Sequence, residues 1–158
     1  MEQVVGRVDT AQFEGIRLRR YFDTKGIPTI GIGMNLQRSD ARRKLASLGY
    51  NIKSIMNGTQ SITEEHAREL FQEDLDKAES QARGLIRNFD DHPEEIQAVF
   101  RDLTFNLGKG GFSKFRNTRK AFERKDYAAA ARGLRNSLWF RQVKSRGRKI
   151  VDIVRSYA

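Results

Sequence analysis

From Thr63 to Arg87 the apolar residues fall into step. Ala67, Leu70, Phe71, Leu75, Ala78 and Ala82 recur every three or four positions, the period of one helix face. Thr63 is a good N-cap, Glu64 and Glu65 suit the positive end of the helix dipole, and Ile62 can staple onto Ala67. A helix over 64–87 would be about 36 Å long at 1.5 Å per residue, the length of a strut between two lobes. A second stripe, Ile96, Val99, Phe100, Leu103 and Leu107, starts after Pro93 and stops at Gly108, which predicts a buried helix followed by a Gly108–Gly111 loop. Shorter helices are predicted from a Ser39 or Asp40 cap to Leu48, near 113–123 and 126–134, from Ser137, and from a Ser145 cap through Ile150, Ile153 and Val154. Val4, Val5 and Val8 fit one side of a first helix over 1–12, and Tyr50 to Gln60 reads as irregular.

The stretch from Phe13 to Leu36 breaks the helical period. Gly15 can end a helix directly after Glu14, and Ile16, Leu18 and Tyr21–Phe22 read as a strand. Asp23-Thr24-Lys25-Gly26 has turn composition, and Pro28 leads into the β-rich run Thr29-Ile30-Gly31-Ile32-Gly33. The fold class is therefore α+β: one domain over 1–158, with a hairpin-bearing part at 13–62, a connecting helix at 63–87 and a helical part at 88–158 on which helix 1–12 packs.

Charge and composition narrow the partners. The 158 residues suit one domain or two lobes sharing a core. From Gly110 onward there are 14 Lys/Arg and 3 Asp/Glu, against 16 and 17 before it, so the basic half calls for an anionic partner. No apolar run approaches the 18 or so residues of a membrane span, and the N-terminus does not read as a signal peptide. With no cysteine, disulfides and thiolate metal sites are excluded. His66 and His92 lie far apart in the sequence, so no metal and no cofactor is expected.

On this reading Glu14 sits at a helix end, Asp23 at the hairpin turn and Thr29 on the return strand. Two carboxylates and a hydroxyl on one hairpin are what glycoside cleavage needs: a proton for the leaving oxygen, and groups that hold a water or a developing cation. Desolvation favours Glu14 as the acid, a solvent-facing turn keeps Asp23 ionised, and Thr29 is small enough to leave room for the water and bond it.

The spacing Glu14-Gly15, Arg17-Leu18, Tyr21, Asp23-Thr24, Gly26 and Thr29-Ile30-Gly31-Ile32-Gly33 resembles the active-site segment of phage-type lysozymes, glycoside hydrolase family 24. The resemblance is strongest over 13–34 and 61–87 and looser beyond. It implies a lysozyme-like fold and hydrolysis, with inversion, of the β-1,4 bond between N-acetylmuramic acid and N-acetylglucosamine in bacterial peptidoglycan. It implies Glu14, Asp23 and Thr29 as catalytic residues. Phe105 and Asn106 match a substrate-binding stretch at the floor of the cleft, and Arg146 matches a supporting arginine that contacts the catalytic glutamate. Trp139 matches a family Trp but reads as core.

Two positions depart from the family pattern. Met34 stands where a histidine commonly pairs with an aspartate, here Asp74, and Gly133 replaces a sugar-contacting asparagine. The expected partners are peptidoglycan strands and the anionic cell envelope rather than nucleic acid, and the expected state is a monomer. A short chain without a linker reads as a free endolysin, held in the host cytoplasm until holin-type release brings it to the wall in the periplasm. Rival readings are a lytic transglycosylase using Glu14 alone, a non-catalytic wall-binding domain, and a nucleic-acid-binding module built on the basic half; that half lacks a recognition motif.

Overall fold

The computed structural model describes residues 4–158. In chain order the elements are β1 (Val4–Val5), β2 (Val8–Asp9), α1 (Thr10–Glu14), β3 (Arg17–Phe22), β4 (Pro28–Gly31), β5 (Met34–Asn35), α2 (Ser39–Ser47), α3 (Ile52–Met56) and α4 (Glu64–Leu85). A 3-10 turn at Phe89–Asp91 leads to α5 (Glu94–Ser113), α6 (Arg116–Glu123), α7 (Tyr127–Arg135), α8 (Leu138–Val143) and α9 (Ser145–Arg155). The fold is α+β and lysozyme-like. It divides into two units, one over 11–74 and one that joins the N-terminal residues through Thr10 to Leu75–Ala158, the divisions falling inside α1 and α4.

In the unit over 11–74, β3, β4 and β5 form an antiparallel sheet in that order. Tyr21 faces Thr29 and Phe22 faces Pro28, with an irregularity in β3 between Arg17 and Tyr21. The turn is closed by Asp23: its N–H donates to Ile27 O at 3.0 Å and its C=O accepts from Gly26 N at 2.9 Å. One face of the sheet supplies Ile30, Met34 and Leu36 to an aliphatic core with Ala41, Leu45, Ile55, Ile62, Ala67 and Leu70. The position that departs from the family histidine, Met34, is thus a core residue at 3 % exposure. Its former partner is not stranded: Arg38 Nη1 and Nη2 bond Asp74 Oδ2 and Oδ1 at 3.1 and 3.0 Å.

The unit containing 4–10 and 75–158 is built around α5, whose Ile96, Val99, Phe100 and Leu103 are fully buried. Phe100 stacks edge-on to Phe122 and His92, with centroids 4.9 and 5.0 Å apart. The ends of the chain join the same core: Arg7 bonds Glu95 and Ser156, and Thr10 Oγ1 donates to Asp102 at 2.6 Å.

Several expected elements differ. Residues 4–9 form an antiparallel hairpin, with Val5 facing Val8, rather than part of a helix over 1–12; residues 1–3 lie outside the described residues. Valine's β-branched side chain and Gly6 at the turn favour the strand pairing. The segment 50–60 holds α3, capped by the Asn51 side chain accepting from Ser54 N at 3.0 Å. Neither Ser39 nor Ser145 is a cap: each is the first helical residue, after Arg38 and Lys144 respectively. Gly108 interrupts α5 with φ 75° and ψ 164°, and the chain turns helical again instead of looping through 111. Thr63 does cap α4, accepting from His66 N at 3.1 Å.

Candidate active site

Glu14 is the last residue of α1, and Gly15 N–H closes the turn on Ala11 O at 2.9 Å. The Glu14 carboxyl lies on the turn between β4 and β5. A Cβ built on Gly33 would stand on Glu14 Oε1 and only 3.0 Å from its Cδ, and Gly33 has φ +70°. A side chain at 33 would therefore both strain the backbone and displace the carboxyl. That gives the last glycine of the Thr29–Gly33 run a specific job.

Asp23 sits across the same hairpin. Its Oδ1 accepts from Lys25 N at 2.8 Å and Ile27 N at 2.9 Å, an Asx-type turn that fixes the carboxylate plane and leaves Oδ2 for a ligand. Thr29 is 4 % exposed, and its hydroxyl donates to Ile27 O at 2.8 Å. With its proton committed, that hydroxyl can only accept from anything placed beside it. Tyr21, paired with Thr29, shares its face of the ribbon. Burial raises the Tyr21 phenol above its usual pKa, with the charges of Glu14 and Asp23 adding to the rise and Arg17 opposing it. The Arg17 guanidinium lies 4.6 Å over the Tyr21 ring. The Arg and Tyr of the motif thus stack on one another beside Thr29, a contact that spacing alone does not disclose.

The remaining predicted residues lie in the other unit. Phe105 and Asn106 are half-buried on α5, just before the Gly108 break. Asn106 Oδ1 accepts from Trp139 Nε1 at 2.8 Å, and Trp139 is buried at 4 % exposure, a core residue. Arg146, in the first turn of α9, is 8 % exposed and holds the fully buried Asp102 through Nε at 3.2 Å and Nη2 at 3.0 Å. Asp102 is therefore a charged centre shared by Thr10 and Arg146. Sequence reading passed over it because an acid on an apolar helix stripe carries no spacing signal. Gly133 packs beneath Thr118: a Cβ at 133 would meet the Thr118 hydroxyl and lie 3.3 Å from its Cβ, so an asparagine there would require the Thr118 side chain to move.

The family model described as phage lysozyme matches residues 11–155. The central spike protein Gp5 of Enterobacteria phage T4 is 31 % identical over 156 residues, covering 89 % of this chain and 26 % of that protein. A probable T4-type lysozyme of Dictyostelium discoideum is 28 % identical over 151 residues, covering 89 % of this chain and 87 % of its own length. The endolysin of Salmonella phage P22 is 35 % identical over 118 residues, or 75 % of this chain and 70 % of that one. The chain thus spans about a quarter of the phage T4 spike protein and most of the other two. With the α+β fold and the hairpin already described, the match places this chain in the phage lysozyme family, a family of glycoside hydrolases.

Proposed function

We propose that the protein is a muramidase that hydrolyses the β-1,4 bond between N-acetylmuramic acid and N-acetylglucosamine in bacterial peptidoglycan, with inversion at the anomeric carbon. The observation that supports this most is the pair of acceptors on the hairpin. Asp23 Oδ1 is tied to two main-chain N–H groups and the Thr29 proton to Ile27 O, so Oδ2 and the Thr29 oxygen can each accept a hydrogen bond from a water. Such a water keeps a lone pair for the sugar. Glu14 gives its proton to the glycosidic oxygen, the C1–O bond breaks, the water attacks C1 from the opposite face, and its proton passes to Asp23. Phe105 and Asn106 contact the glycan, and Arg146 supports the acid.

This reading carries with it a monomer that meets the wall from the periplasmic side after a holin-type lesion opens the membrane; no described helix is long and apolar enough to cross it. The test is product analysis on purified peptidoglycan. The expected products are new reducing ends released first as the inverted anomer. Anhydro-muramic ends with full activity in Asp23→Asn would replace this mechanism with a transglycosylase, and no cleavage at all would leave a binding domain.

A further inference from the structure

Away from the acids, the unit containing 75–158 has two adjoining depressions at the C-terminal end of α4, about 430 and 390 Å³ in volume, that share Arg87, Lys120 and Glu123 as walls. Arg124 completes one, and Arg116 and Arg119 the other. Five cations thus surround a single carboxylate. Glu123 accepts from Arg87 N at 2.8 Å and lies 3.6 Å from Arg87 Nε, while Arg124 has only a 3.9 Å approach to Asp126. Arg119 donates to Leu85 O and Ser113 O, two neutral carbonyls, at 3.1 and 2.8 Å. Its Nε is buried with no hydrogen-bond partner among the described residues. Buried donors are ordinarily satisfied, and clustered guanidinium groups are the usual receptors for phosphate oxygens.

We infer that this basic groove binds the phosphate groups of a sugar- or polyol-phosphate polymer of the cell envelope, tethering the enzyme near its substrate. The inference rests on the wall-hydrolase reading for its partner. Two observations favour this class over nucleic acid. No aromatic ring lines either depression, so there is nothing on which unpaired bases stack. Glu123, at the centre, suits hydroxyl donors, which polyols and sugars present next to their phosphates and a DNA backbone does not.

The test separates binding from turnover by using the Glu14→Gln protein. Its affinity is measured by sedimentation with cell-wall sacculi that retain their phosphate polymer and with the same sacculi stripped of it. Vesicles carrying phosphorylated glycolipid headgroups form a second arm that distinguishes a lipid-borne from a wall-borne source. We expect retained sacculi or such vesicles to bind tighter than stripped sacculi. Adding Arg87→Gln, Lys120→Gln and Arg124→Gln, three exposed positions at which the melting temperature should stay nearly unchanged, should weaken that binding on the order of 10–100-fold. An unchanged preference in the triple variant would overturn the inference, as would duplex DNA displacing the protein as well as glycerol-phosphate polymer at equal phosphate and salt. Cleavage of stripped sacculi by Glu14→Gln would instead count against the muramidase mechanism, without touching the groove.

Discussion

In the unit over 11–74 the hairpin acid Asp23 takes its hydrogen bonds from main-chain N–H groups. In the unit containing 75–158, Asp102, Glu95 and Glu79 each accept from a guanidinium group as well, those of Arg146, Arg7 and Arg101 respectively. The difference is chemical. A guanidinium brings a full charge that locks its partner in the ionised state, as Arg7 does in holding Glu95 at a pKa of about 2. A main-chain amide orients a carboxylate without adding a unit charge, and in Asp23 both such bonds fall on Oδ1. Asp74 shows that the rule follows the job and not the unit. It lies within 11–74, remote in sequence from the hairpin turn, and is clamped by Arg38, whose own pKa is raised, mainly by its hydrogen bond to Asp40.

The sharpest way to test this contrast is to neutralise Glu14, the candidate acid seated against Gly33, and Glu95, an acid paired with a guanidinium. Glu14→Gln keeps the side chain's shape but has no proton to give, and general acid catalysis is worth about 10²–10⁴-fold. Wall-lysis rate should fall by that much while the melting temperature stays close to wild type. Glu95→Gln should do the reverse, lowering the melting temperature and leaving lysis at near wild-type rate below that temperature. Equal rate losses in the two variants would erase the distinction.

Next in size is Asp102→Ala. Asp102 is fully buried and Arg146 is 8 % exposed, so removing the carboxylate strands a buried guanidinium and the Thr10 hydroxyl. Breaking such a pair from one side costs about 3–5 kcal/mol, readable as a lower urea midpoint at unchanged slope. A loss under about 1 kcal/mol would mean that water reaches the site.

A paired glycine experiment sharpens the hairpin side. Gly31 and Gly33 have φ of +71° and +70°, but a Cβ at 31 meets only ordinary contacts, 3.5 Å from Ile62 Cδ1, whereas one at 33 lands on the Glu14 carboxyl. Both alanine variants should lose about 1–2 kcal/mol to backbone strain. Only Gly33→Ala should also lose rate beyond what its stability explains, measured well below both melting temperatures. Matching rates would show that the Glu14 seat is not needed.

What the sequence disclosed follows from how local each cause is. The Asp23–Gly26 turn, Pro28, and the cap and stripe of α4 depend on residues within a few positions, and all of them are visible in order. The Asp74 partner could not be read, because Arg38 is 36 positions away and no periodicity links the two. The N-terminal segment misled because three valines satisfy a helix face and a short hairpin equally, and its paired residues are only three and five positions apart. Gly108 read as a terminator because a break and an end look alike until the next turn is seen. Of the candidate site, the sequence offers candidate residues but not their seating. Which oxygen of Asp23 is occupied, and which way the Thr29 proton points, depend on hairpin geometry that the motif only implies.

The smallest expected effect concerns pH and again contrasts two ways of holding a charge. His92 is 3 % exposed, with Nδ1 2.7 Å from Tyr127 OH and Nε2 3.1 Å from Asn88 Oδ1. Burial, helped by Lys125 and opposed by Asp91 and Glu123, lowers its pKa below the ordinary 6.5. Amide Oδ1 can only accept, so the neutral ring carries its proton on Nε2 and takes the tyrosine proton at Nδ1. A depressed histidine binds protons more readily when unfolded, so its contribution is complete above about pH 6.5 and declines as pH falls below it. Glu95 behaves in the same direction but lower. Its pKa moves from 4.5 to about 2 on folding, so its contribution is present above about pH 4.5 and is lost as pH drops toward 2. Its partner Arg7 is 55 % exposed, which solvent screening discounts to about 1 kcal/mol or less. Unfolding midpoints recorded from pH 7 to pH 2.5 should therefore fall in two separable stages. His92→Gln should flatten the stage that begins near pH 6.5 and leave the lower one, while Arg7→Gln should flatten the lower stage and leave the upper. A single stage that survives both substitutions would assign the acid sensitivity to other groups.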